Sequence, residues 1–438
     1  MRPFSSRENL RNQLLAGAGL LPFSAAPYLP SRVLASWRLR RIRSLVDHAA
    51  RKVPLYRSLY RDAGYRPGDL RTWADFRALP TLSRDALAEV PLQDRLAEGT
   101  DPASCLHSRS SGSSGRSLTV FHQADGVAIQ GLAFLRMFNM GMDYRPWHRH
   151  AYIYTAPFPS AGAAGGLYPQ HFIHTLAPIP ETLKELRRLQ PQVLSCYPSH
   201  LRELLAAVGI GEDLGFRPQA VWVNSEMSSP SERKAMAARL GCPVYDEYST
   251  EELTRVASQC RQGRYHVYED MVHMEVLDPS GAASDGVGDV VATALHSFAM
   301  PFIRYRQGDL AQLRPSTCGC GRRFQELESL EGRRNDAFVL PSGRVLSSGF
   351  LLDAAYGLLM ELKLDVLDFT FEQLTPERVQ VELVVGPSFP VHGCEEVSRY
   401  LMDIFGEPLT LQVSEVEVLT RTASGKRNPI RSRVSSPQ

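Results

Sequence analysis

Residues 192–240 read QVLSCYPSHLRELLAAVGIGEDLGFRPQAVWVNSEMSSPSERKAMAARL. Gln192-Val-Leu-Ser-Cys196 and Ala220-Val-Trp-Val-Asn224 are short apolar runs, the pattern of buried strands. Ser199–Val208, with Ser199 as its cap, and Ser229–Leu240 carry helical spacing. Outward from this stretch, Ala151-Tyr-Ile-Tyr-Thr155 is a further strand and Pro180–Leu189 a further helix. Strands alternating with helices predict an α/β fold built on a largely parallel sheet. After Tyr265 the pattern turns strand-rich, with Val272–Leu277 and Gly288–Ala294. On the N-terminal side, residues 35–64 are helical through Leu39, Ile42, Leu45 and Val46. Val53-Pro54 interrupts that helix, because proline has no amide to donate. A short helix over 83–90 is capped by Ser83.

Past Gly332 the organisation changes. A helix over 349–360, strands at Val366–Phe371 and Val379–Val385, a helix over 395–405 and a strand at Thr410–Val418 make an α+β unit of about 100 residues. The second strand alternates Val379, Val381 and Leu383 with Gln380 and Glu382. The expected domains are a large α/β domain over 1–332 and a small α+β domain over 333–438.

The chain has 438 residues, enough for a sizeable core, and a formal charge of +2. That balance gives no bulk basicity for nucleic acid. Apolar residues at 43% and charged residues at 22% exclude a mainly disordered chain. No apolar stretch is long enough for a transmembrane helix. Leu14–Phe23 resembles a signal-peptide core, but Gly17, Gly19 and Pro22 interrupt it and no convincing cleavage site follows. The seven cysteines are sparse and odd in number, which fits a reducing, cytoplasmic setting. Through Asp62 there are twelve Arg or Lys against three Asp or Glu, so this segment is either a contact for acidic groups or a solvated helical face. Only five basic residues are lysine (Lys52, Lys184, Lys234, Lys363 and Lys426), so a lysine at a chemically meaningful place stands out.

Five constellations carry chemistry. Ser110-Ser111-Gly112-Ser113-Ser114-Gly115-Arg116-Ser117 offers small residues, hydroxyls and a guanidinium to an anion. Its spacing is not that of the P-loop NTPases. Tyr248-Ser249-Thr250-Glu251-Glu252 pairs an aromatic face for a base with a carboxylate for Mg²⁺. In Arg304-Tyr305-Arg306-Gln307-Gly308-Asp309 the aspartate can accept from both ribose hydroxyls. Gly332-Arg333-Arg334-Asn335-Asp336 lies at the expected domain boundary, and Arg421-Thr422-Ala423-Ser424-Gly425-Lys426 lies near the C-terminal end. Taken singly, the first has the composition of a flexible linker and the others that of ordinary polar turns.

Together and in this order, the five resemble the motifs of the adenylate-forming superfamily, specifically the phenylacetate–CoA ligase family. The first is similar to that family's S-S-G-T-T-G-K-P loop, the second to Y-G-x-T-E, the third to Y-R-T-G-D and the fourth to G-R-x-D-D. The fifth is similar to the lysine-bearing end of its lid domain. Val53-Pro54-Leu55-Tyr56-Arg57 resembles its V-P-Y-Y-R. The segment from Gln259-Cys260 to His266-Val-Tyr-Glu269-Asp270 resembles E-C-x₅-H-x-x-E-D, and Cys318-Gly-Cys320-Gly-Arg322 matches C-x-C-G-R. The resemblance covers about residues 45–435. Departures are Arg116 for the loop lysine, Ser249 and Glu251 in the second motif, Asn335 in the hinge pair, and Asn224-Ser225-Glu226 where the family has G-G-E.

The resemblance implies ATP-dependent conversion of a carboxylic acid to an acyl-adenylate, with release of pyrophosphate and then transfer to CoA. It implies Ser110 to Arg116 on the phosphates, Tyr248 on adenine, Asp309 on ribose, Glu252 on Mg²⁺ and Arg333 near the hinge. Lys426 serves the α-phosphate and the acyl carboxylate, and the lid turns about Asn335 and Asp336 between half-reactions. Candidate acyl-pocket residues are Phe158, Gly166, Tyr168, His171, Asn224, Ser225 and Glu226, whose aromatics suit an aromatic or apolar acid. The acceptor can equally be a carrier protein or an amine, as in capsule or secondary-metabolite pathways. A non-enzymatic, zinc-stabilised nucleotide-binding module is the reading from a different class, and the retained Glu252, Asp309 and Lys426 argue against it. The oligomeric state is open, a homodimer included. By spacing alone, Cys260, His266, Cys318 and Cys320 are either a tetrahedral metal set or inert buried thiols. The resemblance implies a structural zinc there.

Overall fold

Four strands between residues 150 and 224 pair in parallel, in the order Gln170–His174, His150–Tyr154, Val193–Cys196, Ala220–Asn224. The computed structural model describes residues 6–109, 118–157, 167–209, 212–362, 364–422 and 425–434. The chain folds into two units: Met1–Pro146 with Pro157–Leu167 and Glu247–Ser329, and Trp147–Ala156 with Tyr168–Asp246 and Leu330–Gln438.

The parallel strands belong to the second unit. Their connections are the helices Ile179–Leu189 and Pro198–Ala207, and Pro230–Leu240 follows the last strand. Leu183, Leu186, Leu201, Leu204 and Met236 from these helices bury against Ala151, Ile153, Leu194, Val221 and Val223 of the sheet. Ser229 caps its helix by accepting from the Glu232 amide. Ser199 does not cap: Pro198 already occupies the first turn, and the residue at the cap position is Tyr197.

The same unit holds a second hydrophobic core. Here Thr410–Glu415, Arg378–Val385, Val366–Thr375 and Ile430–Ser432 form a four-stranded sheet in that order. The helices Ser348–Glu361 and Gly393–Phe405 contribute Leu351, Leu352, Ala355, Val397, Leu401 and Phe405 to its buried face. Val379, Val381 and Leu383 point inward and Gln380 and Glu382 do not, as the alternation requires.

In the first unit the strands are mostly antiparallel. Their order is Val272–Leu277, Gly288–Ala294, Tyr305–Arg314, Glu326–Arg333, Tyr265–Val267, Thr254–Gln259, then the end of Val244–Thr250. Tyr248–Thr250 and Tyr305–Asp309 therefore lie in strands, where their polar composition alone read as turns. The helix over 35–64 is two helices, Ser31–Lys52 and Pro54–Asp62, divided at Val53-Pro54. The long helices Ser6–Ala25 and Ala124–Gly141 and the short ones Trp73–Ala78 and Leu92–Arg95 escape the sequence pattern. No helix among the described residues is long and apolar enough to cross a membrane.

Candidate active site and metal centre

Lys426 is held by its own turn. The Lys426 amide donates to the Thr422 hydroxyl (3.1 Å), and the Thr422 amide donates back to the Lys426 carbonyl (3.0 Å). Gly425 adopts φ +77°, which a side chain would resist. The Lys426 ammonium stands 5.5 Å from the centre of the Tyr197 ring, within cation–π range.

Glu226 fastens this turn to the end of the parallel sheet. Its Oε1 accepts from the Arg427 amide (2.7 Å) and the Ser199 hydroxyl (2.9 Å), and its Oε2 from the Ser199 amide (3.1 Å). Burial raises the Glu226 carboxyl above the usual range, and the amide donors only partly offset it. Salt bridges surround the clasp. Arg427 pairs with Asp368 and Arg421 with Glu203. Arg202 pairs with Glu232 at 2.5 Å and approaches Asp368 at 3.7 Å. Ser199, Arg202, Asp368 and Arg427 make the contacts around this turn, and the sequence reading gave none of them a place in the site. Their partners lie far off in the chain, and only the place of Arg427 beside Lys426 hints at one of them.

The expected acyl residues divide. Phe158 and Gly166 lie outside the described residues. Asn224 is buried at the strand end, and its side-chain oxygen accepts from Ser225 (3.0 Å). Tyr168 (φ +50°) and Ser225 (φ +67°) both take the left-handed backbone conformation, at a cost of about 1–3 kcal/mol each. Such strain is concentrated where proteins bind or react. His171 has Glu185, Arg188 and Arg149 as charged neighbours, and burial, with Arg188 next, holds its imidazole below the usual range. None of the described contacts ties it to Glu226 or Lys426. Asn335 and Asp336 form a single 3-10 turn after Arg333, and Asp336 accepts from the Asn428 side chain (3.2 Å). Before that turn, Gly332 has φ +85°, and a Cβ there would collide with Met227 and Ser348.

In the first unit the Tyr248 hydroxyl donates to Asp309 (2.6 Å), and Gln307 hydrogen-bonds the same phenol. Glu252 is buried; one of its oxygens accepts from Tyr305 (3.2 Å) and pairs with Arg84 (3.3 Å). The strand positions of Tyr248 and Asp309 thus bring the second and third motifs together. The strands Leu106–Arg109 and Thr119–His122 pair in an antiparallel ladder with Arg109 opposite Thr119. They bracket the Ser110-to-Arg116 motif, which lies outside the described residues.

Cys260, His266, Cys318 and Cys320 converge, with all their ligand atoms within 4.8 Å of one another. The Cys260 and Cys318 sulfurs are 3.6 Å apart, and the Cys320 sulfur is 3.3 Å from His266 Nε2. A tetrahedral zinc, with bonds of about 2.0–2.3 Å, spaces its ligand atoms by roughly 3.3–3.8 Å; these two separations fall in that range, and three thiols with an imidazole are donors that zinc takes. His266 Nδ1 faces the Phe324 carbonyl at 3.3 Å, which leaves Nε2 for a metal. Burial, with the Cys260 and Cys320 sulfurs adding to it, pushes the Cys318 thiol up to about 12. Three thiols this close cannot all ionise unless a cation neutralises them. Glu326 ties down the segment before Cys320: its Oε1 accepts from Ser316 and from the Thr317 and Cys318 amides (2.8–2.9 Å), and its Oε2 from Arg264 and Arg314.

No profile of a known protein family matches the chain. Among solved structures it resembles 2-hydroxyisobutyryl-CoA ligase, with a TM-score of 0.79 at 18% identity over 93% of this chain and 91% of that one. The fold is that of the adenylate-forming ligases. A phenylacetate–coenzyme A ligase of Thermus thermophilus is 26% identical over 91% of this chain and 96% of its own. One of Escherichia coli is 26% identical over 72% of this chain and 74% of its own. Over most of its length the chain is similar to phenylacetate–coenzyme A ligases.

Proposed function

We propose that the protein activates a carboxylic acid with ATP and passes the acyl group to CoA. The observation that carries this reading is the clasped turn of Lys426, a rare lysine whose neighbour Arg427 is held by Glu226 at the end of a parallel sheet in an adenylate-forming fold. In the first half-reaction a carboxylate oxygen attacks the α-phosphorus of ATP, and the bond to pyrophosphate breaks. Lys426 offsets the charge that gathers on the α-phosphate and orients the acyl carboxylate. Tyr248 stacks on adenine, and Asp309 accepts from the ribose hydroxyls. Residues 110–116 hold the phosphates, and Arg333 steadies the nucleotide beside the hinge. Glu252 would hold Mg²⁺, which would supply charge screening on the phosphates. In the second half-reaction the CoA sulfur attacks the acyl carbon, and AMP leaves.

Residues 333–438 are the lid, turning about Asn335 and Asp336. Tyr168, Asn224 and Ser225 border the acyl group, and the aromatic Tyr168 favours an aromatic or apolar acid. Cys260, His266, Cys318 and Cys320 would hold a zinc, whose task with four protein donors would be structural.

Exchange of labelled pyrophosphate into ATP, measured with a panel of carboxylic acids, tests the reading. Exchange with at least one acid is expected, followed by thioester formation with CoA. Lys426→Ala should lower exchange by two or more orders of magnitude while sparing transfer from preformed acyl-adenylate. Absence of exchange with every acid would refute the activity. Exchange with acyl transfer only to an amine or a carrier protein would reassign the acceptor.

A further inference from the structure

We propose that the outer face of the helix Ser6–Ala25, with the turn after it, docks on an anionic lipid bilayer. Helical rotation of 100° per residue puts Leu14, Leu15, Ala18, Leu21, Pro22 and Ala25 on one stripe. That stripe faces solvent, with Leu14 67% and Leu21 81% exposed. Surface helices of folded domains normally turn their polar face outward. This helix is anchored on its other side. Gly19 packs at Leu132 of the helix Ala124–Gly141, and the Arg136 guanidinium sits 3.8 Å over the Phe23 ring while pairing with Asp270 (2.6 Å). The exposed leucines are therefore not needed to hold the helix in place. Tyr28, Leu29 and Val33 extend the apolar surface into the start of the next helix, Ser31–Lys52.

The charge around this surface selects the occupant. Between Glu8 and Asp47 there is no acidic residue, and six arginines lie in that interval. Arg38, Arg41 and Arg43 turn inward, to Glu269, the Leu295 carbonyl and the Arg71 carbonyl. Arg32 and Arg40 remain exposed beside the apolar surface. A second copy would bring the same cations to a two-fold contact, with no carboxylate in the segment to answer them. A bilayer offers acyl chains to the leucines and phosphates to the arginines, the combination that holds interfacial helices. This surface makes no use of the nucleotide or acyl chemistry, so the proposal stands apart from the function proposed above.

The test is flotation of the full chain with phosphatidylcholine vesicles, with and without phosphatidylglycerol, at low and high salt. Binding is expected only to the anionic vesicles and should weaken as salt rises. Leu14→Glu with Leu21→Glu, and separately Arg32→Glu with Arg40→Glu, should each reduce partitioning about tenfold or more. Unchanged melting temperatures in both variants would show that the fold survives. No flotation of the unaltered chain, equal flotation with pure phosphatidylcholine, or unaltered flotation of the leucine variant would overturn the proposal. So would a dimer in solution that Leu14→Glu with Leu21→Glu dissociates, which would give this face to a second copy.

Discussion

Glu226 does two tasks with one carboxylate. It terminates the strand Ala220–Asn224 by gripping Ser199 across the sheet end, and it takes the amide next to Lys426. Hydrogen bonds to a charged acceptor contribute about 1.5–3 kcal/mol each, so the clasp outweighs the ordinary fraying of a polar turn. Glu226→Ala should therefore slow pyrophosphate exchange by roughly 10- to 100-fold while changing thioester formation from preformed acyl-adenylate far less. A purely structural role would depress both half-reactions together, and measuring the two rates side by side separates the cases.

At the scale of elements, the Cys–His cluster is a knuckle held by a strand. Glu326 lies in Glu326–Arg333, and its buried carboxylate gathers residues 316–318 so that Cys318 and Cys320 meet Cys260 and His266. Glu326→Ala leaves those amides and the Arg264 guanidinium without that acceptor, while Arg314 keeps Glu328. Co-purified zinc should fall severalfold from about one per chain, with a stability loss of about 3 kcal/mol. Metal analysis and denaturant unfolding check both outcomes; full zinc occupancy in the variant would show that the knuckle forms by itself.

Elements with regular apolar spacing were legible from the residues. Ala220–Asn224 and Val272–Leu277 lie where the pattern puts them, because a buried strand needs an unbroken apolar run. Ser6–Ala25 was not legible. Gly17, Gly19 and Pro22 are poor helix residues, and its long axis is held by packing on Ala124–Gly141 rather than by propensity. Ser199 misled because a hydroxyl before a helix has more than one use, and here it serves Glu226. The site was legible only as separated motifs. Tyr248 and Asp309 meet because two strands run through them, and no local spacing encodes a contact across 61 residues. Salt bridges such as those of Arg202 and Arg427 leave no periodic trace.

For the molecule as a whole, acid is the condition its buried imidazoles resist least. Burial, with the Arg421 guanidinium next, holds His200 down at about 4, against an opposing hydrogen bond with Thr175. The folded value lies below the ordinary 6.5, so the unfolded chain binds the extra proton first. The stability linked to His200 is thus present above about pH 6.5 and is lost as pH falls towards 4. At full depth the loss is about 3 kcal/mol. Denaturant midpoints measured from pH 7.5 to 4.5 should fall, and His200→Gln should flatten the slope over that interval.

The first unit takes its residues from three separate stretches of the chain, the last ending at Ser329, and the second closes only with Ile430–Ser432. A ribosome making this protein therefore cannot release a finished N-terminal half and move on. The early helices must wait, with apolar surface uncovered, until more than three hundred residues have emerged, a wait that invites chaperones.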